Sequence, residues 1–123
     1  AAAASAIPLI GSSADAQTDW PTKSIKIIAG YPAGGQTDLF ARTYGEYIRT
    51  ETGQSVTVEN KAGASGSVAA AEAKRAAPDG YTLMFTISTT MIMNRVLIKD
   101  IPYDVERDLA PIGAPVLESR AGR

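Results

Sequence analysis

Three short strand-like segments alternate with helix-forming segments, and this order limits the folds open to the chain. SIKIIAG (residues 24–30) is nearly continuous in β-branched and apolar residues, SVTVEN (55–60) alternates, and YTLMFTI (81–87) is again apolar. The first and third segments are typical of buried strands covered on both faces, and the second of a shorter strand. Strand, helix, strand, helix and strand in succession predict a parallel sheet with right-handed crossovers. The predicted fold class is α/β with a βαβαβ start.

Both segments between these strands carry helix signals. After the first strand, four apolar residues fall at helical spacing and are predicted to form a core-facing stripe: Phe40, Tyr44, Tyr47 and Ile48. Thr37 is predicted to be the N-cap of this helix, with Asp38 at the positive end of its dipole, and Gly53 is predicted to end it. VAAAEAKRAA (68–77) predicts the second helix, with alanines that allow close approach to a sheet.

The chain after the third strand is less regular. STTMIMN (88–94) is interpreted as a hydroxyl-rich bend with Asn94 as a ligand or turn residue. Its alternative is a short helix toward Val96, capped by one of the hydroxyls at its start. IPYDVERDLAPIG (101–113) is predicted to lead into another short strand.

Composition removes several classes of function. The 123 residues are 45% hydrophobic and 20% charged, with a net charge of −1 and no basic stripe of the kind that nucleic-acid binding requires. Cysteine and histidine are both absent, which excludes Ser-His and Cys-His nucleophilic pairs and the usual zinc sites. No apolar run is long enough to span a bilayer. Catalysis therefore has few available side chains.

The bends after the three strands share a composition that suits an anion. YPAGGQTD (31–38), NKAGASGS (60–67) and STTMIMN (88–94) are rich in Gly, Ser or Thr and contain one Lys and no Arg. In a parallel sheet these bends lie at one edge, where ligands commonly bind, and helix amino ends there offer free N–H groups. The alternative is that Gly34 and Gly35 only permit a tight strand-to-helix turn.

Known nucleotide-binding loops do not match these bends. The first bend is not G-x-G-x-x-G, and G-x-x-x-x-G-K-[ST] does not occur in the chain. A flavin- or phosphate-binding α/β enzyme that uses the same edge nevertheless stays open as an alternative function. A non-functional truncated fragment is the third possibility.

The amino end has the composition of a secretory signal. Residues 1–16 are small and apolar through Ile10, then polar, and end in Ala14-Asp15-Ala16 before Gln17, an A-x-A cleavage pattern. We interpret them as the remnant of a signal peptide, which predicts a periplasmic protein. The alternative is an Ala/Ser-rich disordered lead.

Three stretches together resemble the periplasmic substrate-binding proteins of tripartite tricarboxylate transporters, the Bug family. They are WPTKSIKIIAGYPAGGQTD, GQSVTVENKAGASGSVAAAEAKRAAPDGYTLMFT and IPYDVERDLAPIG, in family order over about residues 20–113. The resemblance implies a periplasmic-binding-protein fold of two α/β domains that close over a ligand. It also implies a non-enzymatic receptor, monomeric when full length and without a cofactor. Such a receptor delivers a small di- or tricarboxylate to the membrane components of a transporter.

Ligand contacts in this family come largely from the three bends. Carried over to matching positions, they are Tyr31, Ala33, Gly34, Gly35 and Thr37, then Ser65 and Gly66, then Ser88, Thr89 and Asn94. Two positions depart from the family pattern, because Gln36 stands where another glycine is usual and Gly66-Ser67 where Gly-Asn is usual. Gln36 either narrows the pocket or donates an amide, so ligand identity is left open.

The resemblance also divides the chain. Residues 17–113 are expected to be part of the first of two domains. Residues 114–123, which include VLESRAGR, are expected to be a divergent or truncated tail at the crossover to the second domain. On this interpretation the chain is an amino-terminal fragment that leaves apolar sheet surface uncovered.

Overall fold

The computed structural model describes residues 19–113. The predicted signal-peptide remnant (1–16) and the predicted tail (114–123) lie outside the described residues. The principal elements are β1 (Ile25–Ala29), α1 (Gln36–Thr52), β2 (Val56–Asn60), α2 (Ser67–Arg75), β3 (Thr82–Phe85), α3 (Asn94–Leu97) and α4 (Val105–Asp108). A tight turn with positive φ at Ala64–Gly66 precedes α2, and a π-helical turn at Thr89–Met93 runs into α3.

The three strands form one parallel sheet in the order β2-β1-β3. Ala29 at the end of β1 pairs with Asn60 at the end of β2 and with Phe85 at the end of β3. All three strands therefore stop at the same level, and the loops after them begin side by side. The predicted α/β class and parallel βαβαβ order are confirmed.

The central strand is covered on both faces, as its continuous apolar sequence predicts. Ile27 and Ala29 pack with Ala41 of α1 on one face. On the other face Lys26 bonds Glu72 of α2 at 2.7 Å. Both helices thus cover the sheet and hold the strand ends in place.

The buried face of α1 is not the predicted aromatic stripe. Ala41 and Gly45 face the sheet, and a Cβ on Gly45 would lie 3.2 Å from Val56 Cγ1. Tyr44 and Tyr47 are 41% and 62% exposed, and the Tyr44 ring packs against Phe85 with centroids 5.3 Å apart. The core assignment was wrong for both tyrosines. The small residues Ala41 and Gly45, each one position after an aromatic residue, permit a closer contact between helix and sheet and therefore form the buried face.

The start of α1 also differs from the prediction, whereas its end agrees. The helix begins at Gln36, and its N-cap is Gly35 in an extended conformation without a side-chain cap bond. Thr37 is therefore not the N-cap and lies buried in the first turn. Gly53 ends the helix at φ +73°, with its N–H bonded to the Arg49 carbonyl at 2.9 Å, as predicted.

One prediction about the later chain is corrected, and another is left without a test. Residues 88–97 are helical rather than a bend, which leaves only residues 86 and 87 between β3 and the helix. The helical alternative is confirmed, although Ser88 at its start makes no side-chain cap bond. Residues 101–113 contain α4, because the Asp104 carboxylate accepts hydrogen bonds from the N–H groups of Glu106 and Arg107 and starts a helical turn. The strand to which residues 101–113 were predicted to lead lies outside the described residues.

Candidate functional site

The candidate site is the edge of the sheet at which all three strands end. We use the name rim for three segments there: residues 30–38, 61–67 and 86–94. Hydrogen bonds join the three segments. The Tyr31 hydroxyl of the first segment lies 3.2 Å from Thr90 Oγ1 of the third, and Thr90 Oγ1 donates to the Ser65 carbonyl of the second at 2.8 Å. The sheet thus brings the three predicted bends together.

An internal carboxylate fixes the first rim segment. Asp38 Oδ2 accepts the Gly34 N–H at 2.9 Å, and Asp38 Oδ1 accepts the Asn60 amide at 2.9 Å and Arg42 Nε at 3.0 Å. These bonds, first the one from Gly34 and then those from Asn60 and Arg42, lower the pKa of Asp38 to about 2. The Gly34 φ of +83° suits glycine and places its N–H toward the carboxylate.

Several N–H groups of the first segment have no acceptor among residues 19–113. The Gly34 and Gly35 N–H groups are used, the first by Asp38 and the second by the Pro32 carbonyl at 3.3 Å. The first N–H of α1 with a backbone partner is that of Leu39, bonded to the Gly35 carbonyl at 3.0 Å. The Tyr31 N–H is also left without an acceptor, and so are four donors next to the start of α1, the N–H groups of Ala33, Gln36, Thr37 and Asp38. They lie at the positive end of a 17-residue helix, where an anion is stabilised.

The second segment has an unusual backbone. Gly63, Ala64, Ser65 and Gly66 all have positive φ, at +139°, +45°, +53° and +84°. Residues with a Cβ rarely adopt such angles, and they persist where surrounding contacts hold them. A Cβ on Gly66 would lie 2.2 Å from Thr90 Oγ1, so only glycine fits there.

A buried polar cluster joins the second and third segments. Thr90 and Asn94 are 0% and 1% exposed. Asn94 Nδ2 donates to the Ser65 carbonyl at 2.9 Å and also lies within hydrogen-bond distance of Ser67 Oγ and the Tyr103 hydroxyl. The Tyr103 hydroxyl in turn donates to the Thr90 carbonyl at 2.6 Å. The helix at residues 88–97 is therefore fixed to the second segment by hydrogen bonds of two buried side chains, those of Thr90 and Asn94.

The predicted site residues divide into accessible and buried groups. The exposed or half-buried ones are Tyr31, Ala33, Gly34, Gly35, Ser65, Ser88 and Thr89, and the buried ones are Thr37, Gly66 and Asn94. Among the described residues no side-chain bond uses the hydroxyls of Ser65, Ser88 or Thr89, so they remain available as donors. The Asn94 amide, by contrast, is directed at the protein interior.

The cations near the rim are paired with carboxylates. Lys61 Nζ lies 3.5 Å from Glu72 and 3.7 Å from Glu59, and Arg42 pairs with Asp38. An anion at the rim would therefore meet mainly N–H and hydroxyl dipoles. No group of three or more acidic side chains within residues 19–113 is placed to hold a metal ion.

Two depressions of the described surface lie along α1, one lined by Arg42, Gly45, Glu46, Arg49, Val56 and Val58 and the other by Phe40, Thr43, Tyr44 and Tyr47. Neither includes a predicted site residue. Also, none of the helices within residues 19–113 has the length and apolar character to cross a bilayer.

Sequence reasoning missed the residues that hold the rim in place. Asn60, Thr90 and Tyr103 were not selected as site residues, although Asn60 and Thr90 fall inside the quoted bends. An Asn at the end of a strand is a weak signal of a structural role, and so is a Thr followed by an Asn four residues later. Neither pattern shows which residue its side chain will bond. Their role depends on contacts 13 to 29 residues away in the chain.

The fold and the rim define an α/β module of the periplasmic-binding-protein type, and comparison with known proteins identifies the family. Residues 40–120 match the profile described as "Tripartite tricarboxylate transporter family receptor". The chain belongs to this receptor family, as the sequence resemblance predicted.

Relatives and solved structures agree with this assignment. A UPF0065 protein of Bordetella bronchiseptica is 40% identical over 104 residues, which are 85% of this chain and 30% of the relative. MatC (Rpa3494) from Rhodopseudomonas palustris, solved with bound malate, is 30% identical with a TM-score of 0.68 over 72% of this chain and 30% of that one. R. palustris Rpa4515, solved with adipate, is 31% identical with a TM-score of 0.67 over 70% and 29%. This chain spans about 30% of the length of each of these proteins.

Proposed function

We propose that the chain contributes to a periplasmic, non-enzymatic receptor that binds a small organic carboxylate at the rim. The receptor would deliver the acid to the membrane components of a tripartite tricarboxylate transporter. Membership of the receptor family supports this proposal, and so do two structural neighbours whose ligands, malate and adipate, are both dicarboxylic acids.

The observation that carries the proposal is the set of unpaired donors at the rim. The N–H groups of Ala33, Gln36 and Thr37 would bind one carboxylate, together with the hydroxyls of Ser88 and Thr89. The remaining predicted site residues would shape the pocket around this group: Tyr31, Gly34, Gly35, Ser65, Gly66 and Asn94. Because the nearby cations are paired with Glu59, Glu72 and Asp38, the anion would be held mainly by neutral dipoles.

Energetics indicate that the rim is one wall of the site. A hydrogen bond to a charged group contributes about 1.5–3 kcal/mol, whereas micromolar binding requires about 8 kcal/mol net of the ordering costs. If two or three of the five proposed donors bond the carboxylate at the same time, these bonds leave little margin. We therefore propose that residues 17–113 are part of the first of two domains, and that a second wall completes the pocket. The assembled receptor would be monomeric and would need no cofactor.

Calorimetry on the complete product of the gene tests the ligand class. Malate and adipate are titrated beside their neutral diamides, which keep the shape and remove the charge. We expect heat from at least one acid and none from its diamide, because the rim offers donors to a carboxylate. Binding of sugars or cations in preference to acids would contradict the proposal.

A matched pair of variants then locates the site. Ser88→Ala removes an exposed hydroxyl at the rim, and Thr50→Ala removes an exposed hydroxyl at the far end of α1. We expect the first to weaken acid binding about tenfold and the second to leave it unchanged. Equal effects of the two substitutions would place the ligand elsewhere.

A further inference from the structure

The hydroxyl of Thr90 has a full set of hydrogen bonds, and this fixes the direction of each one. A threonine hydroxyl has one donor and two acceptor lone pairs. The Ser65 carbonyl can only accept, so Thr90 donates its proton there, at 2.8 Å. Thr86 Oγ1 donates to Thr90 at 2.7 Å. The Tyr31 hydroxyl, at 3.2 Å, must then be the second donor to Thr90.

The carbonyl of Ser65 is saturated as well. It accepts from Thr90 Oγ1 at 2.8 Å and from Asn94 Nδ2 at 2.9 Å, and a carbonyl oxygen has two lone pairs. Ser65 and its neighbour Ala64 have φ of +53° and +45°, which is unfavourable for residues with a Cβ. Two buried donors thus converge on the backbone group of a residue in an unfavourable conformation.

We infer that Thr90 and Asn94 are positioning residues, which hold Ser65 in its left-handed conformation and fix the second rim segment relative to Tyr31. Asn94 acts through Ser65, because its amide is buried and its donors face Ser65, Ser67 and Tyr103. The Tyr31 hydroxyl uses its only hydrogen in the bond to Thr90, so it presents only acceptor lone pairs to the rim. Unfavourable backbone angles persist where such contacts over-determine them.

Nuclear magnetic resonance of the complete gene product tests the conformational part without any ligand. The intraresidue HN–Hα coupling and NOE of Ser65 distinguish positive from negative φ. Thr90→Val removes the hydroxyl and keeps the shape, and we expect Ser65 to lose its positive φ. Thr90→Ser restores the hydroxyl and should restore the positive φ. Thr86→Val is the matched control, since Thr86 belongs to the same cluster but makes no hydrogen bond to Ser65.

The binding part rests on the proposed function and uses malate and adipate as probes. We expect Thr90→Val to weaken binding about tenfold and Thr90→Ser to stay within about twofold of the wild type, because a disordered second segment must be ordered when the acid binds. A Thr90→Val variant with positive φ at Ser65 and wild-type affinity would overturn the inference.

If Thr90→Val does not fold, Asn94→Ala is measured in the same way. If the wild type binds neither acid, the proposed function fails, and the φ of Ser65 alone decides on the positioning role.

Discussion

The first and second rim segments look alike in sequence but are held in opposite ways. Both are glycine-rich links from a parallel strand to a helix, and both contain a glycine at nearly the same φ, +83° at Gly34 and +84° at Gly66. Gly34 is exposed, and a Cβ there would meet nothing within 4 Å. Gly66 is buried, and a Cβ there would meet Thr90 Oγ1 at 2.2 Å.

The difference shows that a glycine-rich loop can require glycine for two distinct reasons. At Gly34 the backbone angle is the only requirement, and the Asp38 carboxylate holds the loop through an N–H. At Gly66 the backbone angle is combined with close contact to a neighbouring helix. The first segment is thus free to present donors to a ligand, and the second is a packed support beside it.

The largest expected effect is that of Gly66→Ala. The left-handed angle costs about 1–2 kcal/mol and the overlap with Thr90 about 1–3 kcal/mol, so we expect a loss of about 2–5 kcal/mol in the free energy of unfolding. Thr90 would also have to give up its bonds to Tyr31 and Ser65. Chemical denaturation of the complete gene product measures the loss.

A double-mutant cycle with Thr90→Ala is the control for this overlap. Thr90→Ala removes both Oγ1 and Cγ2 and leaves the Thr90 Cβ as the near contact, at 3.2 Å, so the double variant should be less destabilised than the sum of the single ones. Strict additivity would mean that the two residues do not meet, contrary to the structure.

An intermediate effect is expected from Asp38→Asn, and it depends on pH. The folded-state pKa of Asp38 is lowered from 3.8 to about 2, so its carboxylate stabilises the fold above about pH 3.8. This contribution is lost as the pH falls from about 4 toward about 2, because the folded protein must then take up the proton. The difference in unfolding free energy between wild type and Asp38→Asn should therefore shrink over this range. A difference that is constant from pH 7 to pH 2 would contradict the role of the carboxylate.

The smallest effect in this series is that of Gly34→Ala. Only the left-handed angle is disturbed, which costs about 1–2 kcal/mol, and no atom stands in the way of the new methyl group. Denaturation of this variant in parallel with Gly66→Ala gives the comparison directly. A loss as large as that of Gly66→Ala would mean that the first segment is packed as tightly as the second.

The sequence was sufficient for the order of elements and for the edge of the sheet at which the three predicted bends meet. The continuous apolar run around Ile27 and the alternating run around Val58 predict strands by local pattern, and Gly53 is a local helix-end signal. The bends after parallel strands must share an edge, whatever their detailed conformation. These predictions depend on residues that are close in the chain or on general topology.

The details that failed depend on residues that are distant in the chain. Thr37 is a good N-cap by type, but Asp38 and Asn60 form the bonds that fix the loop, and Gly35 becomes the N-cap. Tyr44 fits an apolar stripe, but the buried face follows Gly45, whose missing Cβ is needed against Val56. The buried Asn94 amide finds its partners at Ser65 and Tyr103, 29 and 9 residues away in the chain. The ligand contacts themselves stay a prediction.

Amide chemical shifts of the complete gene product, titrated with malate, test the central claim most directly. We expect the largest ligand-dependent shifts at the N–H groups of Ala33, Gln36 and Thr37, which have no acceptor among residues 19–113, and none at the carboxyl end of α1 near Thr52. Shifts centred on the groove at Phe40, Tyr44 and Tyr47, or none at residues 33–37 while malate is bound, would contradict it.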